Sequence, residues 1–155
     1  MEIGEEGELC VKGPQVMMKY WNQEEETKNA FTKDGFFKTG DIALINQDGF
    51  IKIVDRKKDM IISSGFNVYP SEVEDYVTGH PDILEAGVIG IEDKNRGESI
   101  KLFIVTNNPS LTKGEVIAFC KKGLTVYKIP KYIEFIDELP KNNVGKILRR
   151  KLREL

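Results

Sequence analysis

The chain is poor in the residues that most often carry chemistry. Its 155 residues include one histidine, one tryptophan and two cysteines, with no CxxC pair. That disfavours a cysteine-ligated metal or a dithiol redox centre. Cys10 and Cys120 lie far apart beside apolar neighbours, which predicts two buried free thiols in a reducing compartment. His80 precedes Pro81 at the expected end of a helix and reads as a group capping that end, not as a base. No apolar run approaches the ~20 residues that cross a bilayer, and no charged start followed by an apolar stretch suggests a secretory leader. A cytoplasmic protein is expected, peripheral on a membrane only through parts outside this sequence. Repeats and low-complexity segments are also missing.

What is present is the composition of a folded globular protein, 40% hydrophobic and 31% charged. A formal net charge of -2 gives no global field toward nucleic acid or membrane. The charge is uneven, with acid early (Glu2, Glu5, Glu6, Glu8, then Glu24 to Glu26) and base late (Lys141, Lys146, Arg149, Arg150, Lys151, Arg153). A basic terminal helix can contact nucleic acid, but this tail has no interleaved aromatics, so no nucleic-acid partner is expected.

The first third reads as β-rich. Glu8 to Tyr20 predicts two short strands about Gly13-Pro14, and Glu24 to Phe31 a short helix. Phe36 to Ile45 reads as a strand interrupted at Thr39-Gly40-Asp41. It returns as Phe50 to Val54 through the hairpin turn at Asp48-Gly49. Five consecutive charges, Asp55 to Asp59, read as a linker. Beyond them Met60 to Ile62 and Phe66 to Val68 form a hairpin about Ser63-Ser64-Gly65, and Pro70 opens a helix with Ser71 and Glu74 as its capping box. Strands follow at Ile83 to Ile91, Ser99 to Thr106 and Tyr132 to Phe135, with a second capping box at Thr112 and Glu115 opening a helix to Lys122. The loop Leu139 to Gly145 leads to a helix from Ile147 to Leu155. The fold class is α+β: a small C-terminal domain with a three-stranded sheet flanked by helices plus a β-hairpin, preceded by β-rich strands.

Three segments look overspecified for folding alone. In Lys38-Thr39-Gly40-Asp41 a carboxylate on a glycine turn could accept two hydrogen bonds from a vicinal diol, although a turn aspartate more often caps its own backbone. Asp55 to Tyr69 is, by itself, a solvated charge run and a hairpin tip. In Pro140 to Lys146 a lysine follows glycine at the end of a polar loop, where its ammonium could reach a phosphate or carboxylate. A lone lysine before an amphipathic helix is more often mere surface.

As an ordered set these segments resemble the adenylate-forming acyl-CoA synthetases. The resemblance runs through GELCVKGPQVMMKYW (Gly7 to Trp21), FFKTGD (Phe36 to Asp41), DRKKDMIISSGFNVYPSEVE (Asp55 to Glu74) and LPKNNVGKILRRKLR (Leu139 to Arg153). The wording around DRKKDMI and SGFNVYP is most similar to bacterial long-chain fatty-acid CoA ligases. The family activates an acid with ATP to acyl-adenylate and pyrophosphate, then transfers the acyl group to coenzyme A. The resemblance implies that Lys146 is the adenylation lysine, that Asp41 and Arg56 lie by the AMP ribose, and that Lys58 is the hinge. It further implies that Ser63, Ser64, Gly65, Phe66 and Asn67 line the coenzyme A tunnel. Residues 1–57 would be the remnant of an N-terminal body and 58–155 the mobile C-terminal domain.

Ile62 and Asn67 depart from residues many relatives carry, often lysine at the first and glutamine or arginine at the second, and Lys19 stands where glycine is usual. The family's glycine-rich phosphate loop, adenine pocket and acyl tunnel have no counterpart in these residues. A piece of a longer enzyme is therefore expected, inactive alone, with that body as its partner. Fatty acid, ATP, coenzyme A and magnesium would be ligands only of the complete enzyme, and no metal site is expected here. The alternatives are an interaction or regulatory domain, or an adenylation domain of another acid-activating enzyme.

Overall fold

The computed structural model describes residues 2–155, which pack as two compact units, one ending at Lys58 and the other running Asp59–Leu155. In the first unit, strands β1 (Gly7–Val11), β2 (Phe37–Ile45) and β3 (Ile51–Arg56) form an antiparallel sheet in that order, and helix α1 spans Glu24–Ala30. The β2–β3 turn follows its chemistry. Asn46 Oδ1 accepts from the Asp48 and Phe50 amides at 3.1 and 2.8 Å, and Gly49 supplies a φ of +83°. Helix α1 buries no residue; Glu24, Glu25 and Glu26 in its first turn complement the helix dipole. The strand expected after Gly13-Pro14 does not form. Val16 donates to the Gly13 carbonyl to close a tight turn, and the Tyr20 amide goes to Thr27 Oγ1, so no partner strand meets these groups.

The second unit contains β4 (Ile61–Ser63), β5 (Phe66–Val68), α2 (Pro70–Val77), β6 (Ile83–Asp93), β7 (Gly97–Thr106), α3 (Lys113–Cys120), β8 (Tyr132–Phe135) and α4 (Arg149–Leu152). The three expected strands are β6, β7 and β8, with β8 parallel to β7. The β4–β5 hairpin joins them into one five-stranded sheet where Ser63 meets Gly97. The long β6–β7 pair continues to Asp93 and Gly97, past the expected strand ends at Ile91 and Ser99, so only a tight turn joins the two strands. There the Asp93 carboxylate pairs with Lys131 at 2.6 Å and accepts from Ser99 Oγ at 2.5 Å. Lys131 first, then Ser99 and the Asn95 amide, hold that carboxyl well below the usual carboxylate range.

The sheet has an apolar layer on each face because successive strand residues point opposite ways. Val88, Leu102 and Ile104 pack with Val73 and Val77 of α2 and Val116 and Cys120 of α3. Ile89 and Phe103 pack on the other face with Leu139 and Leu152. Cys120 is buried as expected, and desolvation pushes its thiol up to about 11, so it stays protonated. Cys10 is only half-buried.

Four local expectations need correction. Ser71 is not the cap of α2: Pro70 occupies the first turn and Tyr69 the cap position, without a side-chain cap bond. Glu74 is drawn away to the Val88 amide at 2.8 Å and to Arg149. The capping box of α3 does form, between Thr112 and Glu115, but the helix ends at Cys120. The run Asp55 to Asp59 is not a solvated linker. It ends β3 and enters a 3-10 turn (Lys57–Asp59), and both aspartates are buried. The terminal helix shortens to Arg149–Leu152, since Ile147 pairs with Lys141 in a β-bridge and Leu155 is exposed.

Leu152 is thus the one apolar peg of α4, fully buried against Leu139 and Gly87. Leu152→Ala is expected to cost about 3 kcal/mol of stability. In urea it should lower the unfolding midpoint with an unchanged slope.

Candidate functional site

The three segments that stand out in the sequence lie on short, hydrogen-bonded turns. In the first unit, Glu8 pairs with Ile42 and Cys10 with Lys38, so Thr39, Gly40 and Asp41 stand opposite the single residue Leu9. The predicted interruption is therefore a β-bulge, a device that re-aims a side chain at the edge of a ladder. Thr39 Oγ1 locks it by donating to the Leu9 carbonyl at 2.8 Å and accepting from the Asp41 amide at 3.1 Å. Gly40 takes a φ of +76°, which a β-carbon would oppose.

Asp41 faces Arg56 across the β2–β3 ladder, with Nε 3.7 Å from Oδ1. The two side chains remain 35% and 51% exposed, so the pair adds little stability and leaves hydrogen-bonding capacity free toward solvent. Beside them Thr39, Gly40, Arg56, Lys57 and Lys58 line an open cleft of about 410 Å³. Lys57 is tied to Glu8 at 2.7 Å, whereas Lys58 is exposed.

In the second unit, Ser63 and Phe66 pair across a two-residue loop in which Ser64 and Gly65 have φ of +54° and +83°. Two consecutive positive φ values are those of a type I′ hairpin turn. The Ser64 amide donates to the Arg96 carbonyl at 2.8 Å, which pins the tip to the β6–β7 turn. Ser63 is buried; Ser64, Gly65, Phe66 and Asn67 are exposed. Phe66 stacks on Tyr127 with ring centres 4.5 Å apart.

Lys146 stands on a third turn, and that turn is braced, not loose. Asn142 Oδ1 accepts from the Val144 and Lys146 amides at 3.1 and 2.8 Å, and the Asn142 amide donates to the Lys146 carbonyl at 2.9 Å. Gly145 closes it with a φ of +80°. The stem is held by the Lys141–Ile147 bridge, by Leu148 donating to Pro140 at 2.8 Å, and by Lys141 paired with Glu85. Lys146 itself is exposed, and among the described residues its ammonium has no ion-pair partner. A cation thus projects from a fixed backbone into solvent, able to meet an anion.

The sequence reading missed the buried ions behind this turn. Arg149, Glu74 and Asp59 have side chains 13%, 12% and 11% exposed, and Arg149 pairs with both carboxylates, at 2.6 Å with Glu74 and 3.8 Å with Asp59. No periodicity could have found them, because they sit in three separate segments. His80 lies half-buried against the edge of Phe119, and its Nδ1 accepts from the Asp82 amide at 3.2 Å. It closes the turn after α2 and is no part of a site. Among the described residues no three His, Cys, Asp or Glu side chains converge to hold a metal ion. Nor is any helix long and apolar enough to cross a membrane.

Residues 72–146 match the model of the AMP-binding enzyme C-terminal domain. A long-chain-fatty-acid–CoA ligase of Escherichia coli O6:H1 is 54% identical over 151 residues, 97% of this chain and 27% of that protein. A 2-succinylbenzoate–CoA ligase of Bacillus licheniformis is 46% identical over 149 residues, 96% of this chain and 31% of that protein. ATP-bound MatB from Rhodopseudomonas palustris superimposes with a TM-score of 0.93 at 37% identity, covering 99% of this chain and 31% of that one. The chain belongs to the adenylate-forming AMP-binding enzymes and carries their C-terminal domain. Within them it matches the C-terminal part of long-chain fatty-acid CoA ligases, spanning about a quarter of their length.

The type I′ turn yields a direct test. Open space surrounds the Gly65 Cα, so Gly65→Ala meets no neighbour and bears only the backbone cost of its φ. That cost is about 1 kcal/mol, read as a lowered thermal midpoint, whereas Ser64→Gly should be neutral or slightly stabilising.

Proposed function

We propose that the chain is the C-terminal part of an ATP-dependent long-chain fatty acid–CoA ligase and supplies the lysine for its adenylation half-reaction. The observation that carries this reading is Lys146, an exposed cation with no ion-pair partner among the described residues, on a turn fixed by four hydrogen bonds, within the matched domain. The 54% identity to a long-chain ligase supports the substrate class. The 46% identity to a 2-succinylbenzoate ligase indicates that this segment is shared between ligases named for different acids.

In the first half-reaction a fatty-acid carboxylate attacks the α-phosphorus of ATP, the acyl-adenylate forms and pyrophosphate leaves. Two anions must meet, and the Lys146 ammonium, bridging carboxylate and α-phosphate, offsets their repulsion and stabilises the charge on the transferring phosphoryl oxygens. The diol of the AMP ribose would be accepted by Asp41, with Arg56 beside it. In the second half-reaction the coenzyme A thiol attacks the acyl carbonyl, the thioester forms and AMP leaves.

Residues 1–57 are read as the end of the N-terminal body and 58–155 as a mobile domain. Lys58, exposed at the junction of the two compact units, is read as the pivot between the half-reactions. The tip Ser63, Ser64, Gly65, Phe66 and Asn67 would then line the path of the pantetheine arm. Magnesium would arrive with ATP, held by groups outside these residues. The complete enzyme is read as cytoplasmic.

The test joins this chain to the N-terminal body of the Escherichia coli relative and follows the half-reactions separately. Lys146→Ala should slow pyrophosphate release on the order of 100-fold while leaving thioester formation from supplied acyl-adenylate near wild type. Equal loss of both halves would overturn the role. Lys58→Pro should do the reverse, because proline locks φ at the pivot. Unchanged thioester formation would reject Lys58 as hinge.

A further inference from the structure

The buried charges beside the lysine turn have no part in the reaction just described, and burial without purpose is costly. Arg149 follows directly on the stem of the Lys146 turn, one residue after Leu148. Its guanidinium forks onto Glu74, Nε to Oε1 at 3.3 Å and Nη2 to Oε2 at 2.6 Å. Glu74 Oε1 also accepts from the Val88 amide at 2.8 Å, so the fork is anchored in the middle of β6. The third guanidinium nitrogen, Nη1, lies 3.8 Å from Asp59 Oδ2. Asp59 Oδ1 accepts from Arg153 Nη2 at 3.2 Å, one turn further along. Asp59 is the first residue after Lys58.

We propose that Arg149 is a positioning residue that clamps the Lys146 turn to Asp59, so that the lysine and the end of the pivot move as one rigid piece. The role rests on the reading of Lys146 and Lys58 given above. Burial of Leu152 already holds α4 against the sheet, so attachment alone needs no ions. Apolar groups packed at these positions would hold α4 as firmly or more so. What ions add is direction. A planar guanidinium meets a carboxylate in one bidentate geometry, and a slip of the stem breaks both bonds while both charges stay buried. The fork therefore gives the base of the turn one seat, on Glu74 and through it on β6, while Asp59 is joined to it by the 3.8 Å ion contact with Nη1 and by the Arg153 hydrogen bond. A rotation at Lys58 is delivered to Lys146 without slack, which a reaction sensitive to ångström misplacement requires.

Two measurements on Arg149→Lys test this, because lysine keeps the charge and loses the fork. The first is amide hydrogen exchange of the 155-residue chain. Exchange at Val144, Gly145 and Lys146 should speed up about tenfold or more, while Leu102 and Ile104 in β7 keep their rates. Acceleration of turn and β7 together would make Arg149 a stability residue only, and unchanged turn amides would remove the clamp.

The second uses the joined enzyme. Pyrophosphate release should fall between about tenfold and 100-fold, with thioester formation from supplied acyl-adenylate unchanged. Asp59→Asn, which alters only the pivot end, should give the same split in weaker form. Loss of adenylation in Lys146→Ala with none in Arg149→Lys would overturn the clamp alone. No loss in Lys146→Ala would overturn the lysine's role and the clamp's purpose together.

Discussion

The second unit depends on the antiparallel ladder of β6 and β7, which runs from Ile83 paired with Thr106 to Asp93 paired with Gly97. Its alternation supplies two apolar faces, one closed by α2 and α3 and the other by Leu139 and Leu152. The hairpin tip and the lysine turn both hang from that ladder. The Ser64 tip is bonded to its hairpin end through Arg96, and the Lys146 stem is held by Glu85 and by Leu152.

The displayed groups share a construction. Asp41, the Ser64-Gly65 tip and Lys146 each stand beside a glycine with φ between +76° and +83°, in a turn whose amides are largely accounted for. In such turns the glycine takes up the positive φ and the hydrogen bonds set where the neighbouring side chain leaves the backbone. The polar loop before Lys146 is thus a turn braced by its own hydrogen bonds. If the lysine enters and leaves a site, the motion must come from a pivot outside its own turn. Next to that turn lies a nearly buried ion network in which the Arg149 fork meets Glu74 in a single bidentate geometry.

Much of the fold is legible in the sequence. The Thr112–Glu115 capping box, the Asp48-Gly49 turn and the β6, β7 and β8 strands are local signals, and local signals survive when tertiary context agrees with them. The misreadings fell where a distant partner won. Ser71 and Glu74 have capping-box spacing, but Val88 and Arg149 compete for the same carboxylate. Asp55 and Asp59 look like part of a solvated run, yet folding buries both. Ile147 to Leu155 carries a helical pattern, but its first residue pairs with Lys141 and only Leu152 finds a core.

By itself the sequence determined the α+β class, the membership in the adenylate-forming enzymes and the order of the three segments that stand out along the chain. Those depend on residue type and order along the chain, which are present before folding. Only the tertiary structure decided that Thr39 to Asp41 form a bulge, that the lysine turn is braced by Asn142 and that Arg149 links Glu74 to Asp59. Each joins residues that the chain separates and the fold brings within a hydrogen bond's length or a few ångströms more. The energy of such contacts exists only once water has been removed from between them.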